Sequence, residues 1–261
     1  MRLIMFNAPS VTMQIQERVH VAPIGFEIDR VVLPFLAMKG ERLHLILRNG
    51  RNARGDMCVS EIRKDLEANK KSYEIHQVDL DLFQIIYTCR KIIDDELKKG
   101  NVVFVNMSSG GSIQAVACHF ATITFKSGVS AFYAYPETYI EKVNPMRPQA
   151  SAGLSRIELM PHYSIDLPDD SEMLFLRIVA ESKMPSKKVL LEECERAGLI
   201  ASTGKSRPYG HVVLENRFIK PLADKGLITV EDRGRRSRVR LTENGKNTLH
   251  ITGWVPPVNQ R

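Results

Sequence analysis

The stretch Val102-Val103-Phe104-Val105 constrains the fold more than any other. It is wholly apolar, it ends at Asn106-Met107-Ser108-Ser109-Gly110-Gly111, and a helical pattern begins at Ser112. A strand with no polar alternation offers neither face to water, so other elements must cover it on both sides.

The same unit recurs along the first two thirds of the chain. Val19-His20-Val21-Ala22 reads as an extended run ended by Pro23-Ile24-Gly25. Glu27 to Lys39 then sets Ile28, Val31, Val32, Phe35 and Leu36 at helical spacing, with Gly40 as a stop. Pro34 removes a backbone donor and is expected to bend that helix. Leu43 to Leu47 is a buried strand, and Val59, Ile62 and Leu66 mark a second helix with Ser60 as its expected cap. Tyr73 to Val78 alternates like a strand, and Leu82 to Lys99 is a long amphipathic helix closed at Gly100. Ser112 to Phe125 is a further helix, and Ser130 to Tyr135 a further strand. Apolar runs separated by helices predict an α/β fold, a Rossmann-like domain around a parallel sheet.

A proline-bearing stretch follows, from Pro136 to Pro168, in which Arg156 to Met160 reads as one more strand. Leu167-Pro168-Asp169-Asp170-Ser171 reads as a hinge. Two domains are expected, 14–168 and 169–253. Cys58, Cys89, Cys118 and Cys194 include no C-x-x-C pair, which fits reduced thiols in a cytoplasm and argues against a zinc ribbon or disulfide scaffold. No apolar run approaches the ~20 residues of a membrane span, and the apolar opening is too short for a secretory signal, so no membrane partner is expected.

In doubly wound sheets, ligands bind beyond the carboxyl ends of the strands where strand order reverses. Two loops have a fitting composition: Ile24-Gly25-Phe26 after the first strand, and Asn106 to Ser112 after the fourth. Glycines let backbone N–H groups approach a ligand, serines add hydroxyl donors, and the next helix offers its unpaired N-terminal amides. Ordinary strand-to-helix turns would use the same residue types, so both readings stay open. Neither loop is a P-loop or a G-x-G-x-x-G fingerprint, which sets aside P-loop nucleotide hydrolysis and weakens a dinucleotide reading.

Charge divides the chain. Residues 1–180 hold 21 basic and 21 acidic side chains, whereas 181–261 hold 16 and 9, so the whole excess of +7 lies in the last third. That asymmetry points to a polyanion as partner of the second part. A helix from about Glu172 precedes one capped by Ser186 and ended at Gly198. A polar turn bearing Lys205 and Arg207 leads to a helix through Val213, Leu214, Phe218, Ile219 and Leu222, which Pro221 is expected to kink. Leu227 to Val230 and Ser237 to Leu241 read as two strands joined by an arginine-rich tip, before a closing helix. This order is the plan of a winged helix-turn-helix, whose second helix fits a major groove of double-stranded DNA. His211, Asn216 and Arg217 are expected at base edges. The wing arginines Arg233, Arg235, Arg236 and Arg238 are expected at phosphates, and Lys205, Arg207 and Lys220 are further expected DNA-binding residues. A charged hairpin also occurs as a mere solvated edge, but five arginines within positions 233–240 repel one another unless an anion is near.

The two halves together resemble archaeal transcriptional regulators that join a CRISPR-associated Rossmann-fold (CARF) sensor domain to a winged helix. The resemblance rests on Arg18 to Glu27 with Asp29-Arg30, on Val102 to Gly111, and on Gly226-Leu227-Ile228 followed by the wing and Leu241-Thr242-Glu243-Asn244-Gly245. It implies a homodimer with a pocket across its two-fold axis, taking a cyclic oligoadenylate or a related nucleotide as effector and no other cofactor. Ile24, Gly25, Phe26, Asn106, Ser108, Ser109, Gly110, Gly111 and Ser112 are the implied ligand-binding residues. Asn106 and Ser108 match the asparagine-x-serine/threonine loop of such proteins. Where these often carry Lys or Arg, four residues after that serine, this chain has Ser112.

The implied function is a ligand-responsive DNA-binding regulator of transcription, not an enzyme. The alternative is a ring nuclease that cleaves cyclic oligoadenylate in the CARF-like domain, as some CARF proteins do. The sequence offers that reading no Ser-His-Asp or Cys-His arrangement and no metal-ligand spacing, and it places His20 and His119 on apolar segments as hydrogen-bonded core residues. A third reading is an adaptor whose α/β domain binds another protein.

Overall fold

Strand β1 (Arg18–Ile24) lies at the middle of a six-stranded sheet in which only its Arg18 is exposed. The structure is a computed structural model describing residues 15–163, 165, 167–183, 185–201, 207–231 and 237–255. From β1 the chain runs through α1 (Asp29–Ala37), β2 (Arg42–Arg48), α2 (Ala53–Ala68) and β3 (Ser72–Val78). It continues through α3 (Leu82–Lys98), β4 (Val102–Asn106), α4 (Ser112–Ile123) and β5 (Val129–Tyr135). These five strands are parallel. Two short strands, β6 (Thr138–Tyr139) and β7 (Ser151–Ala152), pair with each other, and β8 (Arg156–Leu159) adds antiparallel to β5. The order β3-β2-β1-β4-β5-β8 reverses direction between β1 and β4.

Each face of the sheet has its own core. Ala22, Ile24, Leu43, Leu45 and Leu47 pack against Ile28, Val31, Val32 and Phe35 of α1 and Cys58, Ile62 and Leu66 of α2. Val21, Ile46, Val103 and Val105 pack against Ile85, Ile86, Cys89 and Ile93 of α3 and Ala117, Cys118 and Ala121 of α4. Full burial of such a side chain contributes roughly 1.5–3 kcal/mol.

Three local expectations change. Helix α2 begins at Ala53, and its cap is Asn52, whose side chain accepts the Gly55 N–H at 3.0 Å; Ser60 lies within the helix, where backbone donors are already paired. The pair β6 and β7 has too few residues to leave a periodic pattern. His20 is 1% exposed among the rings of Phe35, Phe104 and Phe132, as a core residue should be, but its Nε2 has no hydrogen-bond partner. Burial, with the Arg18 charge beside it, lowers its pKa to about 3, so the ring is neutral. His119 is only half-buried, and its buried Nδ1 is likewise unpartnered.

The second core belongs to α5 (Asp170–Glu181), α6 (Lys187–Arg196), α7 (Arg207–Leu214), α8 (Lys220–Asp224), the strands β9 (Ile228–Glu231) and β10 (Arg238–Leu241), and α9 (Glu243–Ile251). Asp169 and Glu172 form a reciprocal capping box at α5, and Ser186 caps α6 as expected. Between α7 and α8 the expected single helix contains a π-turn, Glu215–Ile219, in which Lys220 N–H reaches back to Glu215 O. Pro221 lacks the N–H that would bond Arg217 O, and the wider turn lets the chain enter Pro221 without an α-helical register. Val239 N–H donates to Pro185 O at 2.9 Å, tying the β9–β10 hairpin to the start of α6.

Candidate functional site

A cavity of about 380 Å³ opens at the carboxyl ends of β1 and β4, where the strand order reverses. Its size is within the range of small-molecule sites, about 300–1,000 Å³. Ile24, Gly25, Phe26, Ser108, Ser109, Gly110 and Gly111 all line it, whereas Asn106 and Ser112 do not.

The Asn106–Gly111 loop is held by its own polar side chains. Asn106 is 2% exposed; its Nδ2 donates to Arg30 O at 2.7 Å, and its Oδ1 accepts from Ser108 N at 2.8 Å and Ser108 Oγ at 2.5 Å. Ser109 is fully buried and donates to Pro23 O at 2.7 Å, while Gly25 N–H donates back to Ser109 O at 2.9 Å. These hydroxyl and amide groups therefore fasten the two loops to each other. At Gly110 a Cβ would sit 2.8 Å from the Pro23 side chain, so only glycine permits this approach. Gly111 N–H is taken by Gln114 Oε1 at 3.0 Å, and the amides of Ser112 and Ile113 have no intrahelical acceptor.

The cations of this cavity come from elsewhere in the sequence. Arg48, the last residue of β2, lines it together with Arg51 and Asn52 from the turn before α2. Arg51 donates to Arg48 O at 2.8 Å and to Asp56 at 3.1 Å, whereas the Arg48 guanidinium has no partner among the described residues. Glu27 and Arg30 also line the wall, paired at 3.3 Å, with Ser151 donating to Glu27 at 2.6 Å. Arg30 Nη2 and Gln114 Nε2 are buried donors without partners, and both residues belong to the wall. The sequence reading passed over this set. Its signal was the position of Arg48-Asn49-Gly50-Arg51-Asn52 directly after a buried parallel strand, at the same sheet edge as the glycine loops.

Phe26 is 38% exposed and carries the Arg54 guanidinium 4.5 Å from its ring centroid. Arg54 also donates to Pro148 O at 2.8 Å, and Ala150 N–H donates to Phe26 O at 2.7 Å, so the segment before β7 closes one side of the cavity. Asp29 holds that segment through Arg147 at 2.8 Å and through Gln149 and Gly153 at 2.9 Å each. Burial by itself would raise the Asp29 pKa, but these bonds and the Arg147 charge hold it below the usual carboxylate range.

On the second domain, Asn216, Arg217 and Lys220 are exposed and His211 is half-buried. Arg217 is turned toward α5 and the turn after α6, 3.5 Å from Ser171 Oγ and from Leu199 O. Arg238 opens β10 and is half-buried, and Arg240 pairs with Glu231 at 3.3 Å across the hairpin. Arg207 opens α7, although its side chain is not described. Lys205, Arg233, Arg235 and Arg236 lie outside the described residues.

A ligand-sized cavity at a strand-order switch, joined to helices and a hairpin in winged-helix order, defines the class: a Rossmann-like α/β domain followed by a winged helix domain. Residues 18–139 match the family described as HFX_2341_N-like, N-terminal, and residues 171–253 match the DUF6293 C-terminal winged helix domain. The uncharacterized protein MJ1513 of Methanocaldococcus jannaschii is 29% identical over 194 residues, covering 65% of this chain and 58% of that protein. This chain thus spans less than two thirds of that relative. Among solved structures, Enterococcus italicus Csm6 bound to cyclic hexa-2'-fluoro-hexa-dAMP aligns with 81% of this chain and 56% of its own, at 9% identity and a TM-score of 0.43. Can2 from Sulfobacillus thermosulfidooxidans, in complex with cyclic tetra-adenylate, aligns with 91% and 64% at 12% identity and a TM-score of 0.38. No helix among the described residues is long and apolar enough to cross a membrane.

Proposed function

We propose that the protein is a ligand-responsive DNA-binding transcriptional regulator. Its 14–168 part senses a cyclic oligoadenylate or a related nucleotide as a homodimer in the cytoplasm, and its 169–253 part binds duplex DNA. The observation that carries this reading is the cavity at the β1–β4 switch point. Backbone amides at the α4 N-terminus, the unpaired Arg48 and the Arg51 guanidinium favour phosphate there. These arginines supply the positive charge that Ser112 does not. The exposed Phe26 ring, backed by Arg54, suits stacking by a base.

Dimerisation is supported by α4. Ile113, Val116 and Phe120 are 39%, 47% and 37% exposed and follow one another at i, i+3 and i+7, an apolar stripe beside the cavity mouth. In the second domain, Lys220, Asn216 and His211 on the α7–α8 segment are assigned to the DNA groove, with Arg238 and the wing arginines on phosphates.

The test is calorimetry with cyclic oligoadenylates combined with a mobility shift on the DNA upstream of the protein's own gene. One ligand per dimer and a ligand-dependent change in DNA affinity are expected. Absence of ligand binding, or steady conversion of the ligand to a linear product over many turnovers, refutes the regulator reading; the second outcome makes the protein a ring nuclease.

A further inference from the structure

At the β3 edge of the sheet, away from the cavity, three side chains with metal-ligating atoms converge. In the parallel register His44 of β2 lies opposite Glu74 of β3, and Ile46 lies opposite His76, so His44, Glu74 and His76 share the face that α3 covers. His44 Nδ1 is 2.9 Å from His76 Nε2 and 3.7 Å from Glu74 Oε2, and one such atom from each residue lies within 4.8 Å of the others. His44 is 3% exposed, His76 half-buried and Glu74 exposed, so the cluster has a closed inner end and an open outer one.

A second observation fixes how His44 is presented. Its Nε2 is buried without a hydrogen bond and lies 3.6 Å from Glu96 Oε1 of α3. Glu96 is 1% exposed. Lys99, Asn101 and Arg42 donate to its two oxygens at 2.7, 2.6 and 3.0 Å, and two of these three donors are cations, a setting that suits a carboxylate. A carboxylate beside Nε2 favours the proton on that nitrogen and leaves the Nδ1 lone pair aimed at His76 and Glu74. At 3.6 Å the contact is electrostatic and not a hydrogen bond, but it has the same polarity as the carboxylate–histidine pairs that orient imidazoles toward metals.

We propose that His44, His76 and Glu74 bind a zinc-type divalent transition-metal ion, with water in the fourth position. Two imidazoles and one carboxylate match the donor preference of zinc, and hard calcium or magnesium would reject the two nitrogen donors. Around a tetrahedral ion with bonds of about 2.0–2.1 Å, ligand atoms lie about 3.3 Å apart. The nitrogen pair at 2.9 Å must open, and the Nδ1–Oε2 distance of 3.7 Å close, each by only about 0.4 Å. Bound there, the ion fastens the edge strand β3 to β2.

The experiment uses the full, untagged chain stripped with a chelator. It is titrated with Zn²⁺ against a chromophoric chelator, and separately with Co²⁺ read by visible absorption. One ion per chain, tetrahedral-type Co²⁺ bands and a zinc-dependent rise in melting temperature are expected. His76→Ala, at a half-buried position, and Glu74→Gln, at an exposed one, should keep the native circular dichroism. Each should weaken zinc binding at least about tenfold, and the melting shift should vanish in His76→Ala. No uptake, one ion per two chains, or unchanged uptake in the double variant His76→Ala/Glu74→Gln would each overturn the proposal and leave a hydrogen-bonded histidine pair.

Discussion

Asn106 completes a hydrogen bond that Pro34 cannot make. Pro34 lies inside α1 and has no N–H to give to the carbonyl of Arg30, four residues earlier, and Asn106 Nδ2 donates to that carbonyl at 2.7 Å. The defect in the first helix thereby positions the loop that forms the cavity floor.

This pairing makes a coupling measurable. Asn106→Ala leaves Arg30 O without a donor and the Ser108 N–H and O–H without their acceptor in a buried place, a cost of about 3 kcal/mol in denaturant unfolding. Pro34→Ala restores a backbone donor to the same carbonyl. The double variant should therefore be less destabilised than the sum of the two single ones by about 1 kcal/mol. Strict additivity refutes the relationship.

Arg48 and Arg51 should govern ligand affinity with little effect on folding. Replacing either with Ala removes a cation from the cavity wall and should weaken binding of an anionic nucleotide by about 1.5–3 kcal/mol, roughly ten- to a hundredfold. Ser112→Ala should change it far less, because Ser112 does not line the cavity. Calorimetry on the three variants checks the ranking.

Arg90 of α3 donates to Thr252 O, just past α9, at 2.5 Å and also to Thr124 Oγ1, so its guanidinium bonds to both domains. Phe83, at the start of the same helix, lies 5.5 Å from the His250 ring. Arg90→Met should cost about 2 kcal/mol of stability. If α3 carries the ligand signal, DNA binding without ligand should persist in this variant while the ligand-dependent change shrinks. An unaltered ligand response excludes this route.

Salt dependence should distinguish the DNA-facing cations. Each phosphate contact contributes about 0.9 to the slope of log affinity against log salt. Lys220→Ala and Arg238→Ala should each flatten that slope by about one contact, and Arg235→Ala/Arg236→Ala by about two. Arg240→Ala should have less effect, since Glu231 already neutralises Arg240. A slope unchanged in the Arg235/Arg236 double variant removes the wing from the interface.

His20 should make the α/β domain acid-sensitive above the range where carboxylates titrate. Its pKa falls from 6.5 to about 3 on folding, so the unfolded chain takes up the proton first. The stability is fully present above about pH 6.5 and is lost as pH falls toward 3, by about 2 kcal/mol at pH 5. His20→Leu should flatten the stability profile between about pH 6.5 and pH 5. An identical pH dependence in that variant assigns the acid lability elsewhere.

The strands and helices of the first domain were legible because their apolar residues obey period rules. Val102 to Val105 had to be interior, and Leu82 to Lys99 had to turn one face to a core. The winged-helix plan was legible for the same reason, together with the charge excess past position 180. Ser60 misled because it has a capping residue type without a helix start, whereas Asn52 caps through a bond to Gly55 that only the folded turn creates. The π-turn before Pro221 was only partly legible: proline announces a missing bond but not how the chain absorbs it.

Sequence alone predicted the sheet, its two covered faces and the order of the second domain, since burial periodicity is a property of neighbours along the chain. It also singled out the glycine loops, because few other residues tolerate such close approach. What those loops do for the cavity came from the folded arrangement of the strands. It turned Asn106 and Ser109 inward as fasteners and brought Arg48 and Arg51 beside Gly110 and Gly111 from some sixty positions earlier. It also set His44 against His76 and Glu96. Such groupings depend on strand order and register, which join residues distant along the chain, and no local pattern encodes the distance between them.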